Sequence, residues 1–305
     1  MKIYKPSNIA SLQSVSILAV ASLVSGVAVG SGIAFISKFI YFIILFPLVM
    51  GFSIGTALGF TVKKAKIRNP MISLGMGLLG GVVTYSSLMY GQYINFQQET
   101  EKIMLREYNI SDKRQVEEQI NAILQQETGA SGFVGFVKLS AKEGTTISRG
   151  SSKIKLNDTF SYLLWAVELG IVGFLAASIP FGAAGEPFNE DGNDWYGDKQ
   201  WIGSVTEESK EELIRFLNTD DISGAAAILC LDSELAMPRI DVHISSCPSA
   251  LDSDSVVTVS HVSTNAKKQV ESKKLLEGLV TSEQRSQLVS RRSEETPSDG
   301  DVAKS

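Results

Sequence analysis

Four long intervals of the sequence contain almost no charged residues, and they constrain the fold more than any other feature. Asp, Glu, Lys and Arg are absent from residues 6–37, 39–62 and 69–98, and Glu168 is the only such residue within 159–185. A helix of about 20 apolar residues crosses the roughly 30 Å hydrocarbon core of a bilayer. The intervals predict spans at about 13–35, 40–62, 71–91 and 159–182. Because the runs are continuously apolar, helices are favoured over barrel strands, whose residues alternate in polarity.

The first predicted span has two interpretations. Lys2 and Lys5 precede an apolar run with small residues near Ala28 and Gly30, which is also the pattern of a cleavable signal peptide. The run is longer than the apolar core of such a peptide and is followed closely by a second apolar run. We therefore favour an uncleaved transmembrane helix, within a membrane α-helical fold built on a four-helix transmembrane bundle.

The orientation of the bundle is predicted from its short basic loop. The segment KKAKIRNP, residues 63–70, carries four basic residues between the second and third spans, and such loops stay in the cytoplasm. In a bacterial-type inner membrane, this places both termini on the cytoplasmic side and residues 92–158 on the outer side. Lys153 and Lys155, close to the fourth span, lie on the outer side in this scheme and count against it.

The segments outside the spans are predicted from periodicity and turn residues. Residues 92–158 form a mainly helical segment, except that 132–148 is interpreted as strand-like or interfacial. Residues 183–290 form a small cytoplasmic α+β module. It has a helix near 206–218, strands at 239–246 and 255–263, and helices near 266–279 and 282–290. Residues 291–305, which are nearly all polar, are predicted to be disordered.

Glycines recur at intervals of four within three of the spans. A spacing of four returns to the same helix face, where a missing side chain lets two backbones approach closely. We expect these glycines to pack the first three spans together, and we favour this over a homodimer through the second span. The residues are Gly26, Gly30, Gly51, Gly55, Gly59, Gly77 and Gly81.

Glu168 is the best candidate for a functional residue. It lies eight residues past Phe160, about 12 Å below the outer edge of the hydrocarbon. Thr84 and Tyr85 are predicted at a similar depth, and Lys38 is the nearest cation. A buried acid of this kind faces inward with partners. Three interpretations stay open: a neutral acid hydrogen-bonded to Tyr85 or a free carbonyl, a proton or cation site of a transporter, and a contact with another subunit.

The remaining motifs give no support to an enzyme. No Walker loop, dinucleotide fingerprint or HExxH occurs. The GFSIG match at Ser53 has no histidine within the bundle to act as its base. Cys230, His243, Cys247 and His261 contain the four donors of a tetrahedral zinc site, but the close ligand pairs of such sites are missing. We favour structural residues over a metal centre and expect no cofactor.

These patterns predict a structural or interaction protein that anchors or assembles partners at the membrane. The expected partners are the lipid bilayer and either another protein or a second copy of the chain. A nucleic-acid partner is not expected for a chain of net charge −5. The alternative function is a small transporter or channel component that uses Glu168.

Overall fold

The computed structural model describes most of the chain, which separates into two compact units. The described residues are 1–40, 42–108, 112–144, 146–149, 152–155, 158–232 and 235–294. The bundle unit comprises Asn8–Gly185, and the sheet unit comprises Met1–Ser7 together with Glu186–Ser305. The first seven residues therefore belong with the C-terminal part of the chain.

Among its described residues, the regular elements of the bundle unit are helices except for one short hairpin. The chain begins with β1 (Lys2–Ile3) of the sheet unit and then enters the bundle. The bundle elements are α1 (Leu12–Ile36), α2 (Leu45–Lys64), α3 (Pro70–Tyr108), α4 (Lys113–Thr128), α5 (Gly132–Glu143), the hairpin β2 (Thr146–Arg149) and β3 (Ser152–Lys155), and α6 (Asp158–Ala184).

Four of these helices, α1, α2, α3 and α6, are long and apolar enough to cross a membrane. The prediction of four such helices is confirmed, and it supports a membrane protein. Helix α3 has 39 residues and a length of about 58 Å. It therefore continues well past the predicted end of the third span at residue 91.

Close helix packing in the bundle unit occurs where glycines remove a side chain. Gly26 and Gly30 of α1 lie against α3, and Gly77 and Gly81 of α3 lie against α6. The three glycines of α2 all face α6. The glycines therefore do not pack only the first three apolar helices together, as predicted, because those of α2 pack against the fourth. An added Cβ at Gly55 would lie 2.7 Å from the carbonyl oxygen of Leu175. Contact distances this short leave room for hydrogen only.

Helix α5 shows that the strand-like interpretation of residues 132–148 is wrong for residues 132–143, whereas residues 146–148 belong to strand β2. Phe133, Phe136 and Leu139 recur every three residues, and the two rings pack on Tyr93, with centroid separations of 5.9 and 5.6 Å. Leu139 packs against the buried cluster around Leu124. The segment is a helix because α3 and α4 supply an apolar surface against which its apolar face packs. The short apolar run in the sequence does not show that this surface exists.

The sheet unit contains a five-stranded antiparallel sheet with helices on one face. Its further elements are β4 (Phe188–Asn189), β5 (Asp194–Trp195), β6 (Gln200–Thr206), a 3₁₀ turn (Glu207–Ser209), α7 (Lys210–Asn218), α8 (Ile222–Ile228), β7 (Arg239–Ser245), β8 (Ser255–Thr264), β9 (Val270–Val280) and α9 (Ser282–Glu294). The strand order is β1-β9-β8-β7-β6. Alternation in β7 directs Ile240, Val242 and Ile244 into the core, where Leu213 and Leu217 of α7 meet them.

The prediction of a helix near 266–279 is wrong, because these residues include strand β9. The segment has many helix-forming residues, including Lys273, Lys274 and Leu276. However, β9 pairs with β8 from Val270 to Val280, and its buried residues complete the core. Tertiary pairing outweighs local propensity here. Helix α9 extends to Glu294, so the predicted disorder of 291–305 does not hold for its first four residues, and 295–305 lie outside the described residues.

Candidate functional site

Glu168 lies in the interior of the bundle unit, on the face of α6 that packs against α3. Its side chain is only 3% exposed. The phenol of Tyr85 on α3 donates a hydrogen bond of 2.9 Å to Glu168 Oε2. The two helices approach closely about one turn away, where Gly81 lies against Gly173. The glycine packing therefore brings the acid and its hydroxyl donor within reach.

A cavity of about 290 Å³ adjoins this pair. Its polar lining comes from α3, α5 and α6, and consists of Tyr85, Gln92, Ser140, Glu143 and Glu168. Of the described residues that line it, two are acidic and none is basic. The last turn of α5 also contributes its carbonyl end, which carries partial negative charge. The electrostatics of the cavity consequently favour a proton or a cation over an anion.

Two other residues predicted at this site lie elsewhere. The hydroxyl of Thr84 donates to the carbonyl of Gly80 at 2.8 Å, within its own helix. The ammonium group of Lys38 is exposed and lies 5.7 Å from the ring centroid of Phe35.

Three residues of the cavity were missed by the sequence interpretation, namely Gln92, Ser140 and Glu143. Gln92 had a detectable signal, because it lies seven residues after Tyr85 and therefore on the same face of a continuing helix. Ser140 and Glu143 had none, since they reach the cavity only because α5 folds back as a helix.

The structure does not bring together the four residues of the alternative zinc site. In the ladder of β7 and β8, His243 opposes Thr258 while His261 opposes Ile240, so the two imidazoles project from opposite sheet faces. His261 lies 3.3 Å from Glu207. Cys230 is exposed and Cys247 is buried. Within the described residues, no group of three or more His, Cys, Asp or Glu side chains is placed to hold a metal ion.

The sheet unit carries a buried polar network on the sheet face opposite its helices. Trp201 donates to Ser204 at 3.0 Å, and Ser204 donates to Asp241 at 2.6 Å. Arg239 forms an ion pair with the same carboxylate at 2.9 Å. Because the Asp241 carboxylate both accepts a hydrogen bond from Ser204 and pairs with Arg239, it is tolerated at 7% exposure.

His243 lies beside this network and is half-buried. Burial lowers its pKa from the ordinary value of 6.5, and the charge of Lys199 lowers it further, whereas Asp241 raises it. Desolvation is the largest of these effects. The neutral imidazole is therefore favoured in the folded state.

Comparisons of the chain with protein-family models, with curated proteins and with solved structures gave no match. The proposal of function therefore depends on the geometry of the two units.

Proposed function

We propose that this chain is a multi-pass protein of a bacterial-type inner membrane that anchors and assembles a protein partner at the cytoplasmic surface. The four apolar helices are the anchor, and the sheet unit is the interaction module. No cofactor is required for this role.

The pairing of β1 with β9 is the observation that carries the proposal. Lys2 and Ile3 pair with Leu279 and Gly278, so the module is built from both ends of the chain. One end precedes the bundle unit in the sequence, and the other follows it. Strands that pair must share a compartment, so the chain crosses the membrane an even number of times. Four spans satisfy this condition. A chain cleaved after α1 would lose β1 from the sheet.

The charge of the loop between α2 and α3 supports a cytoplasmic location for the module. Residues 63–68 carry four basic side chains, which favours the cytoplasmic side. Lys153 and Lys155 of β3 weaken this preference without reversing it, because they are fewer.

The environment of Glu168 supports a structural role for the acid. Its carboxyl group accepts a hydrogen bond from Tyr85 in a bundle closed by glycine contacts. A hydrogen bond of this kind between helices contributes about 0.6–2 kcal/mol in membranes. The acid therefore fixes the register of α3 against α6.

A second candidate function is proton or cation transport through Glu168. It is supported by the cavity of about 290 Å³ in which Glu143 and Glu168 are both lining residues. An ionisable group at this depth in a bundle is a frequent marker of a transport pathway.

Substitution of Glu168 distinguishes the two functions. The purified chain and its Glu168→Gln variant are reconstituted in liposomes that contain a pH-sensitive dye, with Glu211→Gln as the control because Glu211 is an exposed acid of α7. Assembly predicts no proton flux in any form. It also predicts a loss of bundle stability or of a co-purified partner in a third variant, Glu168→Leu, which removes the acceptor of the Tyr85 hydrogen bond that the amide oxygen of Gln retains. Flux in the unmodified chain that disappears in a stably folded Glu168→Gln would replace assembly by transport.

The two cysteines provide a native test of the topology. Cys230 is exposed and Cys247 is buried, so a membrane-impermeant maleimide reacts with Cys230 alone, and Cys230→Ser is the matched control. We expect labelling in inside-out vesicles and protection in intact cells. Labelling in intact cells would place the module outside and refute the proposed orientation.

A further inference from the structure

Strand β9 has a long open edge beside the short strand β1. On its outer side, β9 pairs with β1 only at Gly278 and Leu279, and Tyr4 adds one more hydrogen bond to Glu277. Residues 270–276 have no strand on that side in the part of the chain that the structure describes. Their amides and carbonyls that point away from β8 are therefore available for pairing.

The open edge is exposed over most of its length. Residues 270–274 are all exposed, and Val270 has an exposed fraction of 62%. The turn before β9 is rigidly organised, because Asn265 accepts hydrogen bonds from the amides of Lys267 and Gln269. The edge is thus a preformed strand, and binding of a partner strand would cost little conformational entropy in β9.

The edge is also basic. Four lysines flank the edge or lie on it, whereas residues 265–276 contain a single acid, Glu271. The lysines are Lys267, Lys268, Lys273 and Lys274. Lys274 forms an ion pair with Glu277 at 2.8 Å. The other three lysines are exposed and have no ion pair within the residues that the structure describes.

We propose that residues 270–276 bind an extended acidic peptide of a protein partner, which adds to the sheet as a strand in line with β1. This inference rests on the proposed role of the sheet unit as an interaction module. The chain already uses this edge in the same way, since β1 comes from a distant part of the sequence and pairs at its far end. Backbone hydrogen bonds supply affinity in this mode of recognition, and side chains supply specificity.

The charge of the edge selects against a second copy of the chain as the occupant. Two copies pairing edge to edge would bring their lysines together, and like charges on adjacent strands are destabilising. An acidic strand removes this repulsion and replaces it with attraction.

The test uses the full chain in lipid nanodiscs and a synthetic peptide of alternating Thr and Glu residues. Hydrogen exchange measured by mass spectrometry reports the protection of backbone amides. We expect the peptide to protect amides within residues 270–276. Two control peptides are matched in length: one has Lys in place of Glu, and one has N-methyl groups on alternate amides, which prevents strand pairing.

A charge-reversed protein keeps the test decisive. The variant Lys267→Glu, Lys268→Glu, Lys273→Glu should bind the Glu peptide about tenfold more weakly, as expected for the loss of three exposed charge pairs, and should accept the Lys peptide instead. The proposal is overturned if the Glu peptide gives no protection, if all three peptides act equally, or if protection falls elsewhere. Such a failure leaves the anchoring role untouched, because the variants of Glu168 and the labelling of Cys230 test that role separately.

Discussion

Replacing Gly77 by Ala should separate helix packing from helix propensity in the bundle. An added Cβ at Gly77 would lie 2.5 Å from Cα of Ala177 and would also contact the carbonyl oxygen of Ala176. Both contacts are backbone atoms of α6, which cannot rotate away as a side chain would. The same Ala176 carbonyl lacks its usual hydrogen bond within α6, because Pro180, four residues later, has no amide hydrogen to donate. Helix α3 must therefore move away from α6 to admit the methyl group.

Gly75 offers a matched control on the same helix, because no atom lies within 4 Å of a Cβ added there. Both Gly→Ala changes gain about 1 kcal/mol of helix propensity, so this term cancels in the comparison. Overpacking costs about 1–3 kcal/mol and applies to Gly77 alone. The two variants should thus differ by about 1–3 kcal/mol, or about 5- to 150-fold in the ratio of folded to unfolded protein.

The measurement is reversible unfolding of the full chain by sodium dodecyl sulfate in mixed micelles, followed by far-ultraviolet circular dichroism. Gly77→Ala should unfold at a lower detergent fraction than the unmodified chain or at the same one, and Gly75→Ala at a higher fraction. Equal midpoints for the two variants would refute the conclusion that Gly77 sets the approach of α3 to α6.

Three further predictions concern single groups in the two units. Tyr85→Phe removes the donor to Glu168 and should lower bundle stability by about 0.6–2 kcal/mol in the same unfolding assay; additive effects of Tyr85→Phe and Glu168→Leu, which removes the acceptor, in a double-mutant cycle would contradict the hydrogen bond. Gly278→Val places a Cβ atom 2.8 Å from the carbonyl oxygen of Lys2 in β1 and should cost the sheet unit about 1–3 kcal/mol, seen as faster hydrogen exchange in residues 1–7; unchanged exchange would show that β1 is not held there. His243 has a lowered pKa, so the unfolded chain binds a proton more readily, and stability should fall as the pH drops below about 6.5. Denaturant unfolding followed by the combined fluorescence of the three tryptophans should show this loss, and His243→Gln should reduce it; an unchanged pH dependence in the variant would assign the effect to another group.

Local patterns in the sequence were sufficient to predict an element where the transfer of its side chains and backbone out of water decides its structure. The four apolar helices follow from the cost of placing charge and unpaired backbone in hydrocarbon, which depends on each segment by itself. Strand β7 follows from its alternation of apolar and polar residues, β8 follows from its many β-branched residues, and α7 follows from its amphipathic face.

Pairing between distant segments was decided only by the tertiary structure. Residues 132–143 became helix α5 because α3 and α4 present an apolar surface to them, and residues 270–280 became a strand because β8 offers a partner. Gly51, Gly55 and Gly59 marked a packing face in the sequence, but only the folded bundle shows that α6 occupies it. The same holds for Glu168: its depth follows from counting residues, whereas its bond to Tyr85 and its cavity with Glu143 depend on which helices pack together. Periodicity records which face of a segment is buried, and long-range packing determines what that face meets.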